Sequence, residues 1–201
     1  MRNSIITKSI CALVSCMFLA SCGDKAFVRG SYDENVNEAN LLNDQWSESD
    51  MQTAVRFLVK SASNHYSIKS KKRKPVVMVT RLRNKTSEHI DTQSIMDMMR
   101  VELMNQAGLQ FVDKQAREDM ADEYAYQKDN TSAGTRKSKG NQVGADFIIN
   151  GRLDSIVQQA GRDKTVYYKL TLNMTNLKTG LIVWSNHKQI RKKYHKRRFG
   201  I

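Results

Sequence analysis

Cysteine and proline are almost absent from this chain. The 201 residues contain three cysteines, Cys11, Cys16 and Cys22, and one proline, Pro75. Because no cysteine follows Cys22, the rest of the chain can form neither an internal disulfide nor a cysteine metal site, and its fold must rely on a hydrophobic core. The single proline also excludes a stiff proline-rich spacer.

Sequence patterns of common catalytic sites are missing as well. The four histidines are scattered, with no His-x-His or His-Glu-x-x-His spacing, and no Gly-x-Ser-x-Gly elbow occurs. Gly134 and Gly140 flank a basic segment, but their spacing does not fit a phosphate-binding loop, and Asn141 stands where the lysine should follow. We therefore expect no enzyme activity, no metal, no cofactor and no small-molecule substrate.

Long hydrophobic runs are limited to residues 10–20, which are too few to span a bilayer. Two cations, Arg2 and Lys8, precede this run, and small residues follow it, which is typical of a secretory signal peptide. Its end, Leu-Ala-Ser-Cys22, resembles the bacterial lipobox, in which the cysteine carries lipid such as palmitate. An ordinary signal peptide that ends near a cysteine is the alternative.

Acidic residues are outnumbered, with 20 Asp and Glu against 33 Lys and Arg and a formal net charge of +13. The cations concentrate in two runs, residues 69–74 and 191–198. Each run is either a site for an anionic partner or a solvated segment that aids solubility. Export from the cytoplasm argues against nucleic acid as that partner.

Four regions are predicted along the chain: a lipoprotein signal peptide (1–21), a lipidated Cys22 with a short polar tether (22–43), a globular domain (44–190) and a basic C-terminal tail (191–201). The tail is predicted to be too charged to pack.

The front half of the domain is predicted to alternate helices and strands. Residues 47–50 offer two N-caps for a first helix that ends near Asn64, and Ser49 with Gln52 fits a capping box. The apolar face of this helix is expected to contain Met51, Val55, Leu58, Val59 and Ala62. The β-branched residues 76–80 predict a central strand buried on both faces, and residues 81–90 predict a loop.

A second helix and a second strand should complete a parallel βαβ unit. Asp91 or Thr92 is expected to cap the helix, Gly108 to end it, and residues 109–112 to form the strand. Asp113 should cap a third, charge-rich helix that reaches about Tyr126. A loop over residues 129–140 follows, with or without a short helix before Val143.

The back half is predicted to be antiparallel. A strand begins at residues 147–153, and strict alternation over residues 166–175 predicts a half-buried strand. Residues 178–180 form a hairpin turn, and residues 181–184 return as the partner strand. The predicted fold class is α/β of the α+β kind: a single layered domain with a mixed sheet of four to five strands, three to four helices and a C-terminal antiparallel hairpin.

Several segments carry a family resemblance through their order and spacing. They are residues 76–80, residues 84–86 with residues 89–91, residues 144–147 with Gly151, residues 170–172, and residues 176–185. Together with the lipobox, they resemble the LpoB-like outer-membrane lipoproteins that activate penicillin-binding proteins, over about residues 51–190.

The resemblance implies a non-enzymatic regulator, anchored in the outer membrane through Cys22, with its domain facing the periplasm. The implied partner is a class A, bifunctional penicillin-binding protein, whose glycan polymerisation and crosslinking it would stimulate. The short tether departs from the long proline-rich linker of the best-known member. A curli-type secretion or envelope-scaffold lipoprotein, and a binder of anionic envelope polymers, remain alternatives.

The partner-binding residues are predicted separately, because exposed loops at strand ends often carry binding. The loop after the first strand supplies Arg81, Arg83, Asn84, Lys85 and Thr86. The alternative is a structural turn in which Asn84 caps the local backbone.

Overall fold

The structure, a computed structural model, describes residues 43–69, 73–137 and 139–196. All of them belong to one compact unit, Asn37–Ile201. The predicted signal peptide, Cys22, the tether up to residue 42, and the end of the basic tail from residue 197 onward lie outside the described residues. So do residues 70–72 of the first basic run.

Five strands form one mixed sheet in the order β2-β1-β3-β4-β5. The strands are β1 (Val76–Lys85), β2 (Gln110–Val112), β3 (Phe147–Ala160), β4 (Asp163–Asn176) and β5 (Ile182–His195). The helices are α1 (Glu48–Ser63), α2 (Tyr66–Lys69), α3 (Thr92–Ala107) and α4 (Lys114–Asn130). β1 runs parallel to β2 and β3, whereas β3, β4 and β5 are antiparallel neighbours. The predicted fold class, the parallel β1–α3–β2 unit and the C-terminal hairpin are confirmed.

The core lies between one face of the sheet and the helices α1 and α3. Apolar side chains recur along both helices at helical spacing and along β4 at every second residue, so each element buries one face. The buried residues of the two helices include Val55, Leu58, Val59, Ala62, Ile95, Met96, Met99 and Leu103. Those of β4 are Val166, Tyr168, Leu170, Leu172 and Met174, as the alternation predicts.

Polar caps define both packed helices. Asp91 caps α3 by accepting from the backbone N–H groups of Gln93 and Ser94, and Gly108 ends it with a φ of 58°. Ser47 caps α1 in a capping box with Asp50, so the predicted box of Ser49 with Gln52 is wrong by two residues. Asp50 fits the role because its carboxylate also accepts from the Ser47 N–H at 2.9 Å.

The first strand is longer than its apolar run. Residues 81–85, predicted as loop, continue β1 to Lys85 and pair with β3 from Gly151 to Asp154. A register shift between Val79 and Leu82 lets Leu82 point into the core, where it is 4% exposed. The prediction of a loop failed because the outward residues of this segment, Arg81, Arg83 and Lys85, are all cationic. With only Leu82 as an apolar residue between them, the alternation of inward and outward positions could not be recognised.

The start of the tail is also strand. β5 continues through residues 191–195 to His195 and pairs with β4, so the expectation that this part of the tail does not pack is wrong. Alternation explains the difference, because Arg191 and Lys193 point away from the core while Lys192 points toward it. The side chain of Lys192 is 3% exposed and its Nζ lies 2.6 Å from Asp50 Oδ2.

Residues 43–46, which we call the N-terminal clasp, are held by side chains of β4 and β5. The Tyr194 hydroxyl donates to the carbonyl of residue 43, and Lys192 Nζ donates to that of residue 45 at 2.6 Å. The Tyr168 hydroxyl lies 3.2 Å from the carbonyl oxygen between them and also donates to Glu88. Three successive backbone carbonyls are thus anchored where the described chain begins.

The third long helix stands apart from the core. α4 is four residues longer than predicted and has no buried residue. α2 was not predicted, and the segment before Val143 is not helical in the part that the structure describes. Among the described residues, no helix is both long and apolar enough to cross a membrane.

Candidate docking surface

One face of the sheet is free of the packed helices. Because α1 and α3 cover the face that contains Tyr168 and Leu170, the alternate residues of β1, β3, β4 and β5 point the other way. We call this surface the open face. Its two shallow depressions, of about 650 and 630 Å³, are lined by strand residues alone.

The strand register arranges the open face in rows that cross the sheet. One row contains Arg83, Arg152, Thr171 and His187, and the next contains Lys85, Asp154, Lys169 and Gln189. Two shorter rows follow beyond the end of β1: Ile156, Tyr167 and Arg191, then Gln158, Thr165 and Lys193. Neighbouring members of a row lie about 5 Å apart, which is the spacing of the strands.

Positive charge dominates this surface. Its cations are Arg81, Arg83, Lys85, Arg152, Lys169, Arg191 and Lys193. Its strands supply the carboxylates of Asp154 and Asp163, and both are paired. Arg152 Nε lies 2.9 Å from Asp154 Oδ2, and His195 Nδ1 lies 2.7 Å from Asp163 Oδ1. The open face therefore favours an anionic partner.

The predicted partner-binding residues separate into two groups. Arg81, Arg83 and Lys85 are exposed on the open face. Asn84 and Thr86 instead build the turn after β1, because Asn84 Nδ2 donates to a backbone carbonyl at 2.8 Å and Asn84 Oδ1 accepts from the Thr86 N–H at 2.9 Å. The structural alternative fits these two residues, and a binding role remains a prediction for the three cations.

Arg152 and Lys169 are surface cations that the sequence reasoning did not single out. The alternation of β4 places Lys169 opposite the core, so its outward direction could have been read from the sequence. Its approach to Lys85 depends on the registers of β1 with β3 and of β3 with β4, which no local pattern specifies.

The two basic runs have different surroundings. In the first run, Arg73 Nη2 lies 3.1 Å from Asp146 Oδ2, and Lys69 ends α2. In the second, Arg191 and Lys193 join the open face. In the described ranges, no three His, Cys, Asp or Glu side chains come together in a group that could hold a metal.

Three solved structures are similar to parts of this chain. The C-terminal domain of LpoB from Salmonella enterica is 18% identical, with 70% of this chain and 98% of that chain covered and a TM-score of 0.43. The corresponding domain from Escherichia coli is 15% identical, with the same coverage and TM-score. Lipoprotein GNA1162 from Neisseria meningitidis is 12% identical, with 59% and 83% covered and a TM-score of 0.37.

Comparison of sequences gives the family. No curated protein matches the chain significantly. The sequence profile described as "Peptidoglycan-synthase activator LpoB" matches residues 50–190, which is more than half of the chain and includes all of the open face except its last residues. The chain belongs to the LpoB family of peptidoglycan-synthase activators.

Proposed function

We propose that this protein is a non-enzymatic regulator that binds a bifunctional, class A penicillin-binding protein and raises its rate of peptidoglycan synthesis. The docking surface is the open face of the sheet. The observation that carries the proposal is the convergence of cations from four strands on that face, in a chain of the synthase-activator family.

Charge complementarity explains how such a face would find its partner. Arg83 and Lys169 stand on neighbouring rows and project from paired strands, so the backbone that carries them is already ordered before they meet carboxylates. Complementary fields raise association rates and select against wrong partners more than they raise affinity. The synthase should therefore present an acidic patch to this surface.

Activation follows from differential binding. A ligand shifts an enzyme toward an active conformation only by the ratio of its affinities for the active and inactive states. A tenfold preference for the active state corresponds to about 1.4 kcal/mol. Contacts spread over a rigid sheet can supply this difference if the patch on the synthase changes shape between its two states.

Attachment to the outer membrane through lipidated Cys22 is part of the proposal. The roughly twenty residues between Cys22 and the described domain would reach at most ~70 Å when fully extended. Changing Cys22 to serine should release the protein from the membrane fraction and abolish activation in cells. Unchanged cellular function after release would contradict a role for the anchor.

The test is recovery and affinity of the synthase. Full-length protein immobilised on a resin and incubated with envelope extract should retain a class A penicillin-binding protein, which mass spectrometry would identify. The triple variant Arg83→Glu, Lys169→Glu and Arg191→Glu should lose at least tenfold in affinity for the purified synthase. The matched control is Lys60→Glu, Lys128→Glu and Lys178→Glu, which changes the net charge equally at exposed positions off the open face.

Two results would contradict the proposal. One is failure to recover any synthase. The other is an equal loss of affinity in both triple variants, which would indicate an effect of net charge rather than a docking surface.

The same cations also favour a second candidate function, the binding of an anionic envelope polymer. Such binding would need no synthase and would weaken steeply with salt. Purified anionic glycan retained at low salt, released at high salt, and not retained by the open-face triple variant would support it.

A further inference from the structure

The third strand extends well beyond its parallel neighbour. β1 and β3 pair as far as Lys85 with Asp154, but β3 continues to Ala160. Residues 155–160 pair with residues 163–168 of β4 on one side. On the other side, the described part of the chain supplies no strand partner. Six residues span about 20 Å, which is the length of an average strand.

This free edge lacks the usual protection against pairing. Residues 155–160 read Ser-Ile-Val-Gln-Gln-Ala, with no charge and no proline. Ile156 is 56% exposed and Val157 is 48% exposed, on opposite faces of the strand. Natural edge strands are commonly guarded by charge, proline or a bulge.

The opposite edge of the same sheet shows the usual protection. β5 carries Lys188, Arg191 and Lys193 in its second half, between residues 188 and 195. The contrast lies within one sheet, so it does not follow from the overall basic composition. An uncharged edge with two exposed β-branched side chains, beside a strongly basic face, is suited to pairing with another strand.

We propose that residues 155–160 accept an extended segment of the partner as a sixth strand. This inference rests on the proposed function in naming the synthase as the source of that segment. Main-chain hydrogen bonds would supply affinity, and alternate side chains would supply specificity, as in other cases of strand addition.

The surroundings of the edge specify the chemistry of the incoming segment. Its central side chains meet Ile156 on one face and Val157 on the other, so they should be β-branched or aromatic. The added strand continues the line of β1, and its end abuts Lys85 and Arg83. An acidic residue should occupy that end, on the side of the open face.

A second copy of this chain is a poor occupant. Antiparallel pairing of two identical edges would bring the turn after Ala160 of each copy against the end of β1 of the other. That turn contains Arg162, and the end of β1 carries Lys85. Like charges would therefore face each other at both ends of the pairing, which opposes association.

Charge on the edge tests the proposal. The double variant Ile156→Lys and Val157→Lys should bind the purified synthase at least tenfold more weakly than the unmodified full-length protein. The matched control is Leu181→Lys and Ile182→Lys, which are 65% and 60% exposed beside the other hairpin turn. The control should stay within twofold, and equal affinity of all three proteins would overturn the proposal.

Hydrogen exchange provides a second measurement that needs no variant. Among residues 155–160, some backbone amides point away from β4 toward the unpaired edge. Binding of the synthase should slow hydrogen exchange of these amides by at least tenfold. Unchanged exchange in a saturated complex would overturn the edge as a docking site while leaving the proposed function intact. This measurement also decides the question if the double variant does not fold.

A peptide probe separates the two proposals if no synthase binds. The probe is an acetylated, amidated peptide that alternates valine with glutamate, and its control alternates valine with lysine. Protection of residues 155–160 by the glutamate peptide alone would support the acidic strand partner although the synthase assignment had failed. Absence of protection by the glutamate peptide would overturn the edge proposal.

Discussion

Replacing the buried Lys192 should destabilise the domain far more than loss of a surface cation would. Lys192 Nζ lies 2.6 Å from both Asp50 Oδ2 and the carbonyl oxygen of Gln45, and the two charged side chains are 3% and 7% exposed. Lys192→Met keeps most of the apolar stem but leaves Asp50 buried without its cation. Because water cannot replace the lost partner, the free energy of unfolding should fall.

The magnitude follows from the burial of the pair. Removing one member of a buried ion pair costs about 3–5 kcal/mol. Asp50 retains hydrogen bonds from the Ser47 N–H and hydroxyl, both at 2.9 Å, so we expect the lower end, about 3 kcal/mol. A domain of this size loses about 2–4 °C in Tm per kcal/mol, which corresponds to a loss of about 6–12 °C.

Urea unfolding of a double-mutant cycle is the assay. Asp50→Asn combined with Lys192→Met removes both charges and should cost about 2 kcal/mol less than the sum of the single changes. A loss below 1 kcal/mol for Lys192→Met, with additive single effects, would refute the reasoning. Those values are typical of a solvent-exposed pair.

Three further predictions concern single positions. Gly151→Ala should cost about 1–3 kcal/mol in urea unfolding, because its Cβ would clash with the backbone carbonyl oxygen of Thr171, whereas Gly144→Ala, with no atom within 4 Å, should have little effect. The hydrogen bond from Lys164 lowers the pKa of Asp44, so its stabilising contribution is complete above the ordinary carboxyl pKa and is lost as pH falls through the folded value. Urea midpoints of Asp44→Asn and the unmodified protein should therefore converge in acid, and a constant gap at all pH values would contradict this. Burial, with the hydrogen bond to Glu88, raises the pKa of Tyr168, so one phenol should resist alkaline absorbance titration until unfolding and be missing in Tyr168→Phe.

Local sequence signals were sufficient to predict the elements that have clear helix caps or a clear alternation of apolar and polar residues. α3 begins after Asp91 and ends before Gly108, as predicted. The start of a helix favours a carboxylate cap and its end favours a glycine in the left-handed conformation, and both preferences depend only on neighbouring residues. The alternation of β4 predicted its buried residues for a similar reason. One face of the strand packs on the core and the other faces water, so apolar and polar residues alternate with a period of two.

Charge concealed two of the strand segments that contribute to the open face. Arg81 and Arg83 made the second half of β1 resemble a loop, and the run that contains Lys192 resembled a solvated tail. Both segments are strands because neighbouring strands satisfy their backbone and their inward residues join the core. That support comes from residues distant in sequence, so the open face could not be assembled from the sequence alone.

The rate of glycan-strand synthesis by a purified class A penicillin-binding protein tests the central claim most directly. Full-length protein added in increasing amounts should raise the rate to a plateau, and the variant with Arg83→Glu, Lys169→Glu and Arg191→Glu should require at least tenfold more protein for the same rate. The surface control with Lys60→Glu, Lys128→Glu and Lys178→Glu should match the unmodified protein. A synthase rate that stays constant at saturating concentrations of bound protein would contradict the account.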